Sequence, residues 1–314
     1  MVGAVHQRPA PVGALRVLLG ETGAHATWVT VDSTALRGVP VVPVLRVGEG
    51  LPDDATWREL IRRAEALGAS GVRVSQVEVD ADVPTQALGA YVQWLQRTHT
   101  HFKRSITALP TWVGAPELPA LIAEVDEVVL QVHTIRAPVL FDAPQALLDV
   151  HRWARVSLHP FRVSLPAYRM QLAEGEALAA DPAEVQRTMQ QLALEPLVSG
   201  LVFFRLGNAE DHGAWSLATL AAVLNGDALF AHTTPRLAPI DAGGGDIWLD
   251  NLGSVDSRAP TTIAVEGAVE NLLATTGYAL AGASLTTTTA LWLHPGEHIR
   301  IGAVRGKNLH VSAP

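Results

Sequence analysis

A regular alternation of strand-like and helix-like segments constrains the fold of this chain more than any other feature. Runs rich in Val, Leu and Ile predict strands at residues 15–21, 39–47, 71–80, 105–109, 127–133, 161–165 and 200–205. Between them, apolar residues at helical spacing predict helices at 55–67, around 88–95, and near 117–125, 144–155 and 181–194. Such alternation predicts a parallel sheet with crossover helices, which is an α/β fold.

The number of strands favours a closed sheet over an open one. Residues 2–7 would add a strand before the other seven, which matches the eight strands of a TIM-type (β/α)8 barrel. Only residues 8–14 separate this segment from the next strand, whereas a crossover with its helix needs about 10–12 residues. We therefore predict a (β/α)8 barrel that is incomplete near the N-terminus: either its first helix is missing or residues 2–7 are not strand one.

The pattern changes after Pro235. Short Thr-, Val- and Leu-rich runs alternate there with Gly, Asn and Asp turns, at 247–251, 261–266, 278–281, 287–293, 298–303 and 308–312. This spacing predicts a small β-sandwich. We predict a barrel domain at 1–235 and an all-β domain at 236–314, with the glycine-rich residues 241–246 as a linker or turn. Without clustered His or carboxylate residues, the second domain is expected to be structural or glycan-binding.

Composition excludes several classes of protein. Hydrophobic residues make up 48% of the chain and charged residues 17%, which is enough apolar material for a core and argues against disorder. The net charge of −8, with 23 scattered Lys and Arg residues, argues against a nucleic-acid partner. The absence of cysteine excludes disulfides, thiolate nucleophiles and Cys-ligated metals.

Targeting signals are also missing from the sequence. No apolar run approaches the ~20 residues of a membrane-spanning helix. The N-terminal residues lack the charged head and apolar stretch of a signal peptide, so we predict none in this chain. Location stays open, including an extracytoplasmic one after removal of a leader, and so does the oligomeric state.

Carboxylates cluster at the end of the fourth predicted strand. Side chains alternate along a strand, so one face would carry Gln76, Glu78, Asp80 and Asp82. Active sites of TIM barrels lie at the C-terminal ends of the strands. Stacked carboxylates repel one another, which should raise the pKa of at least one and prepare it as a proton donor for glycoside hydrolysis.

This stretch resembles the chitinase-type glycosidase signature Asp-x-x-Asp-x-Asp-x-Glu at the end of strand four. Ser75, Glu78, Asp80 and Asp82 stand at its four positions, and Asp80 is identical. The resemblance implies that Asp82 is the general acid, with Asp80 and Glu78 tuning it. Asp82 is one methylene shorter than the glutamate of the signature and Ser75 replaces an aspartate; both departures favour a non-catalytic descendant.

Four further motifs are VEVDADVP at 77–84, ALPTW at 108–112, VLQVH at 129–133 and LVFFR at 201–205. With them, the chain resembles a bacterial domain-of-unknown-function family throughout residues 1–314. That resemblance implies a glycosidase-like barrel and a β-rich tail, and it implies no established activity.

Other strand ends supply candidate substrate-binding groups. Besides Gln76 they are Glu21, Arg46, Trp112, Gln131, His133, Tyr168 and Arg205. Trp112 would stack on a sugar ring, and Tyr168 and Gln131 would orient the sugar. The second catalytic group would be Glu21 or an acetamido group of the substrate.

Each candidate also has a structural interpretation. Asp80 and Asp82 would cap the next helix. Glu78 would form an ion pair with Arg46 or Arg205. The remaining alternatives are core packing for Trp112 and Tyr168, a structural role for His133, and a carboxylate partner for Arg205.

Metal and cofactor sites have little support in the sequence. His99 and His101 have the spacing of a ligand pair but precede a predicted strand, at the wrong end of the barrel. His133, Glu78 and Asp80 match no ligand spacing, and no phosphate-binding glycine loop follows a strand. We therefore predict neither a metal nor a cofactor.

Together these patterns favour a glycoside hydrolase-like protein that acts on or binds a polysaccharide through the carboxylates of strand four. The alternative is a non-catalytic carbohydrate-binding or scaffold protein on a degenerate glycosidase barrel.

Overall fold

A computed structural model gives the architecture of the chain. It describes residues 13–23, 25–48, 50–133, 140–171, 177–207, 211, 213–241 and 243–313. The predicted strand at 2–7 lies outside the described residues. No helix in the described ranges is long and apolar enough to cross a membrane.

Seven parallel strands form the main sheet. They are β1 (Leu15–Thr22), β3 (Pro40–Val47), β5 (Gln76–Ala81), β6 (Lys103–Ala108), β7 (Glu127–Gln131), β8 (Phe161–Pro166) and β11 (Val198–Phe204). They pair in the order β11-β8-β7-β6-β5-β3-β1. The short β2 (Thr27–Trp28) lies antiparallel on β1, and β4 (Arg73–Val74) pairs with β3. The predicted α/β class with a parallel sheet is confirmed.

Closure into an eight-stranded barrel is not seen. In the part of the chain that the structure describes, no hydrogen-bonded ladder joins β11 to β1, so the sheet is open there. Between β1 and β3 the chain forms β2 and turns where the other crossovers have a helix. The missing helix predicted at residues 8–14 falls almost entirely outside the described residues, and the missing helix between β1 and β3 is a separate irregularity that the sequence pattern did not predict.

Helices follow the other parallel strands. They are α1 (Asp54–Ala69), α2 (Leu88–Arg97), α3 (Leu118–Ala123), α4 (Ala143–Ser157), α5 (Pro182–Leu192) and α6 (Leu217–Asn225). Four of them begin after a side chain that accepts from a backbone N–H of the first turn: Asp53, Asp142, Asp181 and Ser216. A hairpin of β9 (Arg169–Gln171) and β10 (Ala177–Ala179) interrupts the chain between β8 and α5.

An ion-pair network inside the sheet shows that the sheet is strongly curled. Arg16 on β1 pairs with Glu78 on β5, and its Nη2 lies 2.6 Å from Glu127 Oε1 on β7. In a flat sheet, the four strand spacings from β1 to β7 would put these residues about 19 Å apart. The direct contact therefore requires the two strands to face each other across the concave side of the sheet.

Further polar groups complete this network. Arg162 Nε on β8 lies 2.6 Å from Glu127 Oε2, and Gln76 Nε2 donates to Glu127 Oε1 at 2.9 Å. Ser105 Oγ donates to Glu78 Oε2 at 2.9 Å. Burial alone would raise the pKa of Glu127, but hydrogen bonds from Arg162, Gln76 and Arg16 hold it below its ordinary value. The concave side of the sheet is therefore polar at this depth, and hydrogen bonds or ion pairs link these side chains into one network.

Removing Arg16 should test how much the curled sheet depends on this network. Arg16→Met leaves two carboxylates without their shared cation, so we expect the free energy of unfolding to fall by about 3–5 kcal/mol. The control is Arg62→Met, because Arg62 also pairs with a carboxylate but at an exposed helix surface. Chemical denaturation of both variants measures the difference; similar denaturation midpoints would contradict this role of Arg16.

The C-terminal part is all-β and antiparallel, as predicted. Six strands pair in the order β12-β13-β19-β15-β17-β16, and β14 pairs with β18 in a second sheet. Their bounds are β12 Thr233–Asp241, β13 Gly244–Asn251, β14 Ser257–Arg258, β15 Thr262–Ala274, β16 Tyr278–Ala281, β17 Ser284–Thr287, β18 Trp292–Leu293 and β19 His298–Ser312. The second sheet of the expected sandwich thus has only two short strands.

Two separate apolar clusters form in the described residues. One runs from Leu19 to Val223 within the α/β part, and the other from Ile247 to Val311 within the β part. This agrees with a boundary near 235, which stays a prediction. Of the two alternatives predicted for the glycine-rich residues, a linker or a turn, the structure shows the turn, since Asp241 on β12 pairs with Gly244 on β13.

Asp256 joins the two parts of the molecule. Its Oδ2 accepts from Ser216 N at 2.8 Å and lies 3.4 Å from Arg169 Nη1, both in the α/β part. Its backbone N–H donates to Thr219 Oγ1 at 2.7 Å, and His294 Nδ1 lies 3.0 Å from its Oδ1. Burial would raise the pKa of Asp256, but bonds from Ser216 and His294 hold it below the ordinary value. The β part is thus anchored by one buried carboxylate.

The lowered pKa of Asp256 gives its stabilising effect a defined pH range. The effect should be complete above the unfolded-state pKa of about 4 and be lost as pH falls through the lower folded-state pKa. Asp256→Asn should therefore cost about 1–3 kcal/mol of unfolding free energy at pH 7 and less at pH 3. Denaturation at both pH values measures this, with the exposed Asp227→Asn as control. A cost independent of pH would contradict it.

Candidate functional site

The candidate site lies where the parallel strands of the main sheet end. We call this group of residues the mouth. It consists of Glu21, Arg46, Asp80, Asp82, Gln131, His133, Tyr168, Phe204 and Arg205. Each stands on the last residues of a parallel strand or shortly after it.

Three of these residues are neighbours in strand register. Glu21 on β1 is opposite Arg46 on β3, and Arg46 is opposite Asp80 on β5. Arg46 Nε lies 3.7 Å from Glu21 Oε1, and both side chains are about half exposed. One side of the mouth is therefore a row of alternating charges.

Asp80 is the half-buried carboxyl of this row. Thr107 Oγ1 donates to Asp80 Oδ1 at 2.7 Å. Burial raises the pKa of Asp80 above its ordinary value, and the charges of Asp82 and Glu21 add to this; Thr107 and Arg46 oppose it. Such a carboxyl holds its proton to higher pH than an exposed aspartate does.

Asp82 follows the end of β5 and is exposed. The N-cap residue of the helical turn after it is Pro84 and that of α2 is Ala87, and neither helix start has a side-chain cap. The alternative in which Asp80 and Asp82 cap the next helix is therefore not supported. Within the described ranges, no ion pair involves either carboxyl.

Glu78 and Gln76 lie deeper than the mouth. Glu78 is 3% exposed and pairs with Arg16, not with Arg46 or Arg205 as the structural alternative expected. Burial raises the pKa of Glu78, while Arg16 and Ser105 oppose the shift. Because the Glu78 side chain pairs, within the described ranges, only with residues of the interior network, we assign it a structural role in the sheet and do not include it in the mouth.

Aromatic rings form the opposite side of the mouth. His133 stacks on Phe204 with ring centroids 5.7 Å apart, and Tyr168 meets both rings edge-on at 5.8 and 5.4 Å. The Arg205 guanidinium lies 5.8 Å from the centre of the Tyr168 ring, and its Nη2 bonds to Asp211 Oδ1 at 2.6 Å. Sequence reasoning missed Phe204 and Asp211, although Phe204 precedes Arg205 in a motif that it had singled out.

Two polar atoms of this aromatic group have no partner among the described residues. They are Tyr168 Oη and His133 Nδ1, and both are buried. Burial lowers the pKa of His133 to about 4, so the imidazole is neutral at pH 7. Burial also raises the pKa of Tyr168, opposed by Arg205 and Arg46. Arg46 is thus within electrostatic reach of both Asp80 and Tyr168.

Trp112 has no exposed ring face. It is 0% exposed, and its Nε1 donates to Val83 O at 2.8 Å. Its ring packs edge-on against Tyr91 at 6.2 Å, within the core under the sheet. Trp112 therefore cannot stack on a sugar ring as predicted. Its geometry is that of the alternative interpretation, in which the ring packs in the core.

No group of three or more His, Asp or Glu residues that could hold an ion occurs within the ranges that the structure describes. His99 and His101 precede β6, so they lie at the opposite edge of the sheet from the mouth, as expected.

Comparison with known proteins identifies the family. Residues 37–196 match the family described as Domain of unknown function (DUF3142). The chain belongs to this family. The match confirms the predicted resemblance over these residues. The DUF3142 segment contains Arg46, Asp80, Asp82, His133 and Tyr168, while Glu21 and Arg205 lie outside it.

Several solved structures resemble the DUF3142 protein at low identity. The Bacillus cereus spore cortex-lytic enzyme SleL is 13% identical, with a TM-score of 0.49 over 69% of this chain and 68% of its own. A chitinase from Bacteroides thetaiotaomicron is 11% identical, with a TM-score of 0.40 over 53% and 69%. A glycoside hydrolase family 18 N-acetylglucosaminidase from Paenibacillus barengoltzii is 11% identical, with a TM-score of 0.38 over 59% and 82%. No curated protein matches the chain in sequence.

The unpartnered hydroxyl of Tyr168 leads to a prediction about stability. Tyr168→Phe removes a buried group that makes no hydrogen bond in the described structure, so Tm should stay the same or rise. The matched control is Tyr278→Phe, which removes a hydrogen bond of 2.6 Å to Pro260 O and should cost about 1 kcal/mol. Thermal unfolding of both variants measures this; a larger loss for Tyr168→Phe would show that its hydroxyl has a partner.

Proposed function

We propose that the mouth binds a carbohydrate chain and hydrolyses a glycosidic bond. The observation that carries this proposal is the pair Asp80 and Asp82, two neighbouring carboxyls that no described cation neutralises directly. A protonated carboxyl beside a second one is the arrangement that glycoside hydrolysis needs.

The two carboxyls would have different roles. Asp82 is exposed and would donate the proton to the leaving oxygen. Asp80 is half buried with a raised pKa, so it would keep a proton available at the pair. Glu21, held near Arg46, is the candidate for the second catalytic group, and an acetamido group of the substrate is the alternative. Glu78 would support the pair from below through Arg16 and Ser105.

The aromatic side of the mouth would orient the sugar. Tyr168 Oη and His133 Nδ1 have hydrogen-bonding capacity that no described residue uses, but both atoms are buried, so a sugar hydroxyl group would reach them only after these side chains shift. Gln131 on β7 points to the same side in strand register. Arg205, which forms an ion pair with Asp211, would form the edge of the mouth at the end of β11.

We also propose that the curled sheet is a glycosidase-like barrel with an interruption between β11 and β1. The contact of Arg16 with Glu127 supports this curvature. The division into an α/β domain at 1–235 and an all-β domain at 236–314 is supported by the two separate apolar clusters.

A second candidate is a carbohydrate-binding or scaffold protein without catalysis. The observation that favours it is that two side chains predicted for the site do not face the mouth. Glu78 forms an ion pair with Arg16 deeper in the sheet, and the Trp112 ring is fully buried. Under this alternative, Asp82 would be a ligand for sugar hydroxyls.

Asp82→Asn distinguishes the two candidates. Under the catalytic proposal, the release of reducing ends from N-acetylated and other bacterial polysaccharides should fall by at least about 100-fold, since general acid catalysis contributes that much. Tm should hardly change, because Asp82 is exposed. Activity of the wild-type protein should also fall at high pH, where Asp80, whose pKa burial raises, loses its proton.

Asp227→Asn is the control, an exposed aspartate after α6. A fully active Asp82→Asn protein would disprove the catalytic role of Asp82. If neither protein releases reducing ends and Asp82→Asn binds the polymer more weakly than the wild type does, the binding alternative is the correct one.

A further inference from the structure

A tryptophan on the outer face of the β part lies outside the apolar core of that part. Side chains of β13 alternate, and Ile247 and Leu249 are 0% exposed within the apolar cluster. Trp248 lies between them on the opposite face, half-buried, and does not belong to that cluster. The ring is partly exposed on the outer sheet face, and packing in the apolar core does not account for it.

Two arginines flank this ring in strand register. Trp248 is opposite Arg236 on β12 and opposite Arg300 on β19. Arg236 Nε lies 2.7 Å from Asp250 Oδ2, and Arg300 Nε lies 2.7 Å from Asp246 Oδ1. We call these five residues the Trp248 face. Because each arginine is held by a carboxylate on β13, donors and acceptors beside the ring are already oriented.

A cleft adjoins the Trp248 face. It has a volume of about 300 Å³, and its walls include Arg236, Asp250, Glu297 and His298. The His298 ring lies 5.8 Å from the ring of Trp248, so the cleft is next to the indole. This volume is at the lower end of the range for small-ligand sites, and one or two sugar rings would fit it.

We propose that the Trp248 face and its cleft form a second carbohydrate-binding site, which takes an uncharged glycan. A sugar ring has an apolar C–H face that would pack on the indole, and hydroxyl groups around its edge that both donate and accept. The arginine–aspartate pairs offer both kinds of partner at the edge of the ring.

Charge identifies the class of ligand. On the Trp248 face, the two arginines are balanced by two aspartates, and Glu297 adds a further carboxylate in the cleft. Nucleic acids and acidic glycans need an excess of cations, which this face lacks. The site would hold an uncharged polysaccharide near the mouth of the same chain, and it uses residues different from those of the proposed hydrolysis.

Retention on insoluble polysaccharides tests the site. The full chain is incubated with cellulose, chitin and insoluble xylan, and bound protein is measured after sedimentation. Trp248→Ala should bind at least about tenfold more weakly to the polymer that retains the wild type, and Trp248→Tyr should recover part of the binding. Retention should not change between low and high salt.

Two variants make the result specific. Leu280→Ala removes an exposed apolar side chain from the same sheet, on β16, and should bind as the wild type does. Asp82→Asn alters only the mouth, so retention that depends on the Trp248 face should persist in it even where the mouth also contributes to binding, and a failure of the proposed hydrolysis leaves this test intact. Equal melting temperatures for Trp248→Ala and Leu280→Ala exclude misfolding as the cause.

Three outcomes would overturn the proposal. They are retention of the wild type by none of the three polymers, undiminished retention of Trp248→Ala, and retention that disappears at high salt. Loss of retention in Asp82→Asn would place the binding at the mouth and would overturn it as well.

Discussion

The contact of one arginine with two carboxylates on distant strands is the interaction on which the geometry of this protein depends. Arg16 enters the sheet at its N-terminal edge and meets Glu78 and Glu127 across the concave side. An unpaired charge at this depth would cost several kcal/mol, so the three groups must stay together. Their contact keeps the sheet curled, and the curl brings the ends of β1, β5, β7 and β11 around one opening.

This arrangement separates carboxylates that support the fold from carboxylates that face solvent. Glu78 and Asp80 are two residues apart on the same face of β5, yet the first contacts Arg16 and the second contacts Thr107. The next aspartate, Asp82, leaves the sheet and is exposed. In order of decreasing depth, β5 and the residue after it thus provide Glu78, which supports the fold, Asp80, which is half-buried with a raised pKa, and Asp82, which is accessible.

The β part is connected to the opening through a short path of residues. Asp256 holds Arg169, and Arg169 follows Tyr168 directly in the chain. The Arg169 guanidinium also lies 5.0 Å from the ring centre of Trp292 on β18. Tyr168 is 3% exposed and lies in the aromatic side of the mouth. The all-β part therefore helps to fix the position of a mouth residue, beyond adding a surface of its own.

The sequence by itself determined the α/β class, the parallel strands, the shared face of Gln76, Glu78 and Asp80, and the strand-end position of most mouth residues. These features follow from periodicity, because the backbone sets which side chains share a face. Only the tertiary structure decided which partner each group has: Arg16 for Glu78, Asp211 for Arg205, and the core for Trp112. Such contacts join strands far apart in the chain, and local patterns contain no information about which strands face each other across a curled sheet.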